Sequence, residues 1–212
     1  MAITTNDAVI SEAIWQAEGN QLWIKRAILV VVGVLVLAAC AKIRLMIPPS
    51  PVPVNLGTFA VLTLGAAYGP RLGLVTVLAY MLVGLLGFDV FANSSAANNG
   101  WAYMSGATGG YLVGFVLATL ALGAFSRLGW DRSVPLTALA MVIGNVIIYA
   151  LGLAWLYVLV DGGMFDAAAY SSPATQTLAW GFIPFWIGDV MKIVFAAILL
   201  PTLWKAIGAA RA

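Results

Sequence analysis

The chain has 212 residues, with 10 basic, 8 acidic and no histidine, and 63% of it is hydrophobic. A water-soluble domain is about one-quarter charged, so at 8% charged this chain would expose apolar surface that water does not tolerate, and it reads as an integral membrane protein with one membrane domain. A net charge of +2 without a basic cluster excludes a nucleic-acid partner, the single Cys40 excludes an internal disulfide framework, and the lack of histidine excludes His-ligated zinc or haem and Ser-His or Cys-His catalysis.

In chain order, residues 1–22 are polar, with Asp7, Glu12 and Glu18. Ile10, Ala13, Ile14 and Ala17 recur at helical spacing, which suits a short interfacial helix. The membrane domain then runs over 23–207 and a cytoplasmic tail over 208–212. A crossing helix needs about 20 apolar residues. The first span covers 24–45 and ends on Lys42 and Arg44. Leu37-Ala38-Ala39-Cys40 within it resembles a lipoprotein cleavage site, but cleavage would remove a whole span from the bundle. Pro48-Pro49-Ser50-Pro51-Val52-Pro53 cannot be helix interior and forms a loop.

The second and third spans, 54–69 and 72–88, are short and joined by Tyr68-Gly69-Pro70-Arg71-Leu72-Gly73, a tight hairpin turn. A polar loop over Asn93–Gly100 follows. The fourth span is 108–126, the fifth 134–160, and the sixth 179–204, running through Asp189 and Lys192. Strand alternation is absent, so the fold is an all-α bundle of six transmembrane helices and not a β-barrel. Internal repeats are not visible. Lys25, Arg26, Arg71, Arg127, Arg132, Lys205 and Arg211 fall on one side and only Lys42 and Arg44 on the other. This places both termini on the cytoplasmic side, and the expected location is the plasma (inner) membrane of a bacterial cell.

Charges inside a membrane mark function more often than structure. Asp189 and Lys192 stand at i, i+3 in the sixth span and share a helix face. With that helix starting near Trp180, Asp189 lies about 13 Å below the outer boundary. Two readings compete: an ion pair that neutralises itself, and a cavity face where the pair meets a ligand. A ligand would offer Lys192 an anion and Asp189 N–H or O–H donors. Asn93, Ser94, Ser95, Asn98 and Asn99 supply neutral hydrogen-bonding groups near the outer surface, unless they form a solvated loop. Trp101, Tyr103, Tyr111, Phe185 and Trp186 could wall the site, or belong to the interfacial aromatic belt. The glycine-rich Gly106–Gly110 has no lysine and no P-loop exists, so ATP hydrolysis is not this chain's work. No facing carboxylates suggest a metal.

Taken in order, these residues resemble the BioY family of biotin transporters: Pro51-Val52-Pro53-Val54, Thr58-Phe59-Ala60-Val61-Leu62, Gly69-Pro70-Arg71-Leu72-Gly73, Tyr80, Gly84, Gly87 and Val90-Phe91-Ala92. Thr108-Gly109-Gly110-Tyr111-Leu112, Gly114-Phe115, Gly188-Asp189 and Lys192 continue the match, which runs from about residue 42 to 200. The departure is Asn55-Leu56-Gly57-Thr58, where the family usually has Thr-Leu-Gln-Thr, so no glutamine acts here. The loop 93–99 is also poorer in glycine than usual.

The resemblance implies the substrate-binding S component of an energy-coupling-factor (ECF) transporter, not an enzyme. Biotin is its transported substrate, no cofactor is needed, and a transmembrane T component and two ATPase subunits are its partners. It implies six helices, with vitamin held near the outer face under the loops after the first, third and fifth spans. Asp189 and Lys192 match the family's polar pair, and Asn93, Asn98, Tyr111 and Trp186 complete the expected substrate site. Asp189 would accept from the ureido ring of biotin, while Lys192 would bind its carboxylate or orient Asp189. Three alternatives stay open: a solo or proton-coupled transporter, an S component for another vitamin, and a homo-oligomer. The first helix has small residues but no clean A-x-x-x-A pattern, so the T-component contact rests on the resemblance alone.

Overall fold

The computed structural model describes residues 8–209, so Asp7 and Arg211 lie outside the described residues. A one-turn helix α1 (Ile10–Ile14) precedes the first long helix, α2 (Gly19–Lys42), which continues unbroken past Cys40. A loop follows, pinched by a two-residue antiparallel ladder of β1 (Arg44–Leu45) on β2 (Val54–Asn55), with Arg44 opposite Asn55. The ladder was not visible in the sequence, because each strand is too short to show alternation.

Next come α3 (Gly57–Leu85), the short α4 (Gly100–Met104), α5 (Gly109–Arg127), α6 (Val134–Leu159), α7 (Pro173–Gly181) and α8 (Trp186–Ala209). Among the described residues, five stretches are long and apolar enough to cross a membrane, and α3 is one of them. It is two legs rather than one rod. Gly69 has φ 76° and ψ 175°, outside the helical region, and it has no Cβ to resist that angle. Pro70 starts the second leg, where its missing N–H is harmless. A Cβ on Gly73 would lie 3.4 Å from the Gly65 Cα, whereas residues eight apart in a straight helix are about 12 Å apart. The legs 57–68 and 70–85 therefore form the predicted hairpin, and counting them separately recovers six helices.

At 1.5 Å per residue the two legs are about 18 and 24 Å long, short of the roughly 30 Å hydrocarbon core. The space above the first leg is filled by the 43–56 loop and by a cavity. The bundle's centre is α3, α5 and α6, with α2 packed on α3 and α8 on α6 and α3. Small residues let the backbones meet: Gly65 faces Thr119 of α5, and Gly123 faces the Gly69–Pro70 bend. Outward faces such as Trp23, Val31, Leu35, Val146 and Met191 are exposed, as a lipid-facing surface should be.

The predicted sixth helix is corrected at its start. It begins at Trp186 and not near 179, because α7 ends at Gly181 and Phe182–Phe185 form a turn before α8. Pro184 explains the break: its ring disfavours a helical residue before it and supplies no N–H. Asp189 thus sits in the first turn of α8 rather than two turns down.

Both described termini lie at one end of the molecule. There Arg127 forms a two-toothed ion pair with Glu12, at 2.7 and 2.6 Å, and Trp204 Nε1 donates to Asp131 at 2.7 Å. Val9, Ile10 and Ala13 are buried against this end of the bundle, while Ile14 is exposed. The opposite end is tied by Lys42 to Asp89 (2.6 Å), by Arg44 to Asn93 (2.6 Å) and by Ser50 to the Trp180 carbonyl.

Candidate functional site

The cavity beneath the 43–56 and 86–99 loops encloses about 630 Å³ of atom-free space, including its mouth. Each wall comes from a different element. Val52, Pro53 and Asn55 hang from the 43–56 loop, Thr58 and Tyr80 from the two legs of α3, and Phe91 from the 86–99 loop. Tyr111 and Phe115 project from α5, Ile148 and Tyr149 from α6, and Asp189 and Lys192 from α8.

Most of the lining is aromatic or aliphatic and rigid. Phe91 is fully buried, stacks on Tyr103 with centroids 4.8 Å apart and meets the Tyr80 ring edge-on at 5.3 Å. Tyr80 donates to the Val90 carbonyl at 3.1 Å, fixing that loop to the hairpin. Gly84 leaves the space that the Phe91 ring occupies. Tyr111 lines the wall with its ring, and its hydroxyl donates to the Gly181 carbonyl at 2.9 Å, joining α5 to the end of α7. Asn55 folds its side chain back on its own loop: its oxygen accepts from Gly57 N at 2.6 Å and its amide donates to the Pro53 carbonyl at 3.1 Å.

The polar centre is the Asp189–Lys192 pair, 2.9 Å apart, with side chains 7% and 12% exposed. Asp189 Oδ1 accepts from Lys192, and Oδ2 accepts from the Tyr149 hydroxyl. Lys192 also donates to Thr58 Oγ1 at 3.1 Å. The first turn of a helix favours a negative side chain through the helix dipole, so the start of α8 at Trp186 itself supports the charge on Asp189. A carboxylate offers about four lone-pair directions and an ammonium three hydrogens. Asp189 therefore has room for two further donors, and Lys192 has one hydrogen left for an acceptor. The pair is paired but not saturated, as a ligand site requires.

Of the residues expected from sequence, Asp189, Lys192, Tyr103, Tyr111 and Phe185 meet around the cavity. Asn93, Asn98 and Trp186 do not line it. Asn93 accepts from Arg44, and Asn98 pairs with Ser95 in a tight turn. Trp186 opens α8 with 52% of its surface exposed, facing away while Phe185 faces in. Asn55, Thr58 and Tyr149 were not singled out as ligand-facing. Tyr149 carried a usable signal: with Asn145 it makes an i, i+4 polar pair in an otherwise apolar helix stretch. Asn55 carried none, since its own loop turns it toward the cavity.

A bundle of membrane helices, one of them broken into two legs, holding an aromatic-walled cavity with a buried ion pair, defines a membrane-embedded small-molecule binder. The family model described as the BioY family matches residues 11–209, and the chain belongs to that family. It is 34% identical over 175 residues to a probable biotin transporter BioY of Pyrococcus horikoshii, covering 82% of this chain and 93% of that protein. It is 33% identical over 159 residues to the biotin transporter BioY of Thermotoga maritima, covering 75% and 85%. The fold matches a crystal structure of the S component for biotin from an ECF-type ABC transporter, with TM-score 0.70 and 21% identity over 89% of this chain and 95% of that one.

Proposed function

We propose that this chain is the biotin-binding S component of an ECF-type transporter and takes up biotin across the cytoplasmic membrane. The observation that carries the reading is the unsaturated Asp189–Lys192 pair at the polar end of an aromatic cavity. Biotin has a ureido ring with two N–H donors and an acidic chain. The two open acceptor directions on Asp189 suit the ring, and the free hydrogen of Lys192 suits an acceptor. The apolar walls suit the sulfur ring and the alkyl chain.

Family membership supports the ECF assignment, in which a T component and two ATPase subunits supply the energy this chain cannot. Both termini face the cytoplasm in this reading, so the cavity opens toward the outside. Asn93 and Asn98 stand on the outer rim, where opening of the loops would bring them past an entering ligand.

Titration of the purified protein with biotin, biotin methyl ester, thiamine and riboflavin tests the proposal. Tight binding of biotin without ATP, and no binding of thiamine or riboflavin, is the expected result. A folded protein that ignores biotin in both detergent and lipid would refute it. Weaker binding of the ester would place Lys192 on the carboxylate, and equal binding would leave Lys192 as the partner of Asp189.

A further inference from the structure

We propose that the groove between α2 and the second leg of α3, at the end carrying both described termini, is a binding site for an anionic phospholipid. The groove encloses about 1620 Å³ of atom-free space, open solvent at its side included, and is separate from the proposed biotin cavity, sharing no lining residue with it.

Its two walls run in the same direction, each from this end toward the opposite face. Lys25 and Arg26 stand on α2 and Arg71 at the start of the facing leg. Four residues further along each helix, on the same face, stand Val30 and Val75. The charge therefore lies at one level and the apolar wall about 6 Å deeper, on both sides of the groove. Val31 and Leu72 widen the apolar part. The Tyr68 hydroxyl donates to the Leu29 carbonyl at 3.0 Å beside the apolar wall, and the groove closes deeper in, where Gly33 meets Thr76. The order is charged, then apolar, then shut, with an open side toward the bilayer: Trp23, Val31 and Val75 are exposed.

Charge complementarity selects the occupant. Among the described residues Glu12 is the only acid in the lining, and Arg127 already neutralises it with two hydrogen bonds. That leaves three positive side chains. Lys25 is buried and donates to the Trp15 carbonyl, which uses one of its three hydrogens. Arg26 lies over the Trp23 ring at 5.4 Å, exposed on its other face. Arg71 is exposed and has no ion-pair partner among the described residues. A basic pocket between helices at the membrane surface fits a lipid phosphate. The valine walls fit the first carbons of its acyl chains, and the closed upper end turns the chains out into the bilayer.

The test uses the full chain in detergent, with lipid binding read by native mass spectrometry. Phosphatidylglycerol is the probe, phosphatidylcholine the neutral control, and glycerol 3-phosphate the headgroup without chains. Phosphatidylglycerol should bind well above phosphatidylcholine, and glycerol 3-phosphate should not bind. R26Q with R71Q should lower phosphatidylglycerol affinity about 30-fold, the product of two contributions of the size a basic residue makes near an anionic membrane surface. K205Q, an exposed charge outside the groove, should leave it unchanged. Val75→Trp, which fills the apolar part without removing charge, should also weaken lipid binding. Ligand binding in the outer cavity serves as the folding control for every variant. Equal binding of the two lipids, or phosphatidylglycerol binding that survives both the double variant and Val75→Trp, would overturn the proposal. So would binding of glycerol 3-phosphate as tight as that of the lipid. A double variant that releases a partner protein while keeping the lipid would mark the groove as a protein-docking surface instead.

Discussion

Tyr149 on α6 donates its phenolic hydrogen to Asp189 on α8, so a carboxylate in the first turn of one helix is aimed by a side chain of its neighbour. Lys192 holds the other oxygen from one turn along the same helix. The direction of the open lone pairs is therefore set before any ligand arrives, and preorganised acceptors lose less on binding. Tyr149→Phe keeps the ring and its edge-on contact with Phe182 at 5.3 Å, and removes only the hydroxyl. It should weaken biotin binding, by up to the roughly 1.5–3 kcal/mol of a hydrogen bond to a charged group, and lower thermal stability as well, since Asp189 loses a partner in the empty site. Calorimetric titration of the variant checks this; unchanged affinity would show that Tyr149 does not orient the site.

The ion pair separates ligand binding from simple neutralisation. Asp189→Asn alone leaves Lys192 buried beside a neutral amide, and breaking a buried pair from one side costs roughly 3–5 kcal/mol. Lost binding in that variant would then be ambiguous. Asp189→Asn combined with Lys192→Met removes both charges at similar volume and should fold at least as well as the parent. Biotin affinity should nevertheless fall by several kcal/mol, since each hydrogen bond to a charged group contributes about 1.5–3 kcal/mol. Near-parental binding by a folded double variant would move the site elsewhere.

How much of this was legible follows from what each feature depends on. The crossing helices came from runs of apolar residues, and α6 was predicted at 134–160 against an observed 134–159. The α3 hairpin came from Gly69-Pro70, a local signal of backbone geometry. The start of α8 was missed by 7 residues, because Trp180 through Ile187 are apolar enough to look continuous and Pro184 was not weighed as a break. Asp189 and Lys192 were legible because charge in an apolar run has few innocent explanations. The rest of the site was not. Thr58 reaches Lys192 from a residue 134 positions away. Asn93 was expected at the ligand, but Arg44 claims it, and no spacing rule links positions 49 apart.

Close helix contact rests on a few glycines, and Gly123 is the most exacting. A Cβ there would press on the backbone of Gly69 and Pro70, which form the hairpin bend and cannot rotate aside as a side chain can. Gly123→Ala should therefore destabilise the bundle by about 1–3 kcal/mol, the usual scale of overpacking, against the few tenths to 1 kcal/mol that alanine gains in a helix. Gly208→Ala, with nothing within 4 Å of its Cβ, should be neutral or slightly stabilising. Unfolding in a mild denaturing detergent compares the two; equal stability of both variants would mean that α5 does not approach the bend this closely.

The latch between Lys42 and Asp89 offers a prediction with a sign in pH. Lys42, at the end of α2, bonds Asp89 at 2.6 Å, and Ser94 donates to the same oxygen at 2.6 Å. Those contacts, Lys42 first, hold the Asp89 carboxyl below its ordinary value. A depressed folded-state value means that the stabilisation is present above the unfolded value, about 3.9, and is lost as pH falls through the lower folded value. The Asp89 side chain is 59% exposed, so solvent screens the pair and its contribution stays within about 0.2–1 kcal/mol. The parent should therefore exceed Asp89→Asn by that small margin at pH 7, the margin should shrink below about pH 4, and it should also shrink in about 1 M salt, where the Debye length is roughly 3 Å. Because the latch ties α2 to the loop that carries Phe91, Asp89→Asn should also release biotin faster, with the association rate less affected. Thermal unfolding of both proteins across pH and salt, beside a dissociation time course, tests the two parts together. A stability gap indifferent to both pH and salt would assign Asp89 a packing role and not a charged latch.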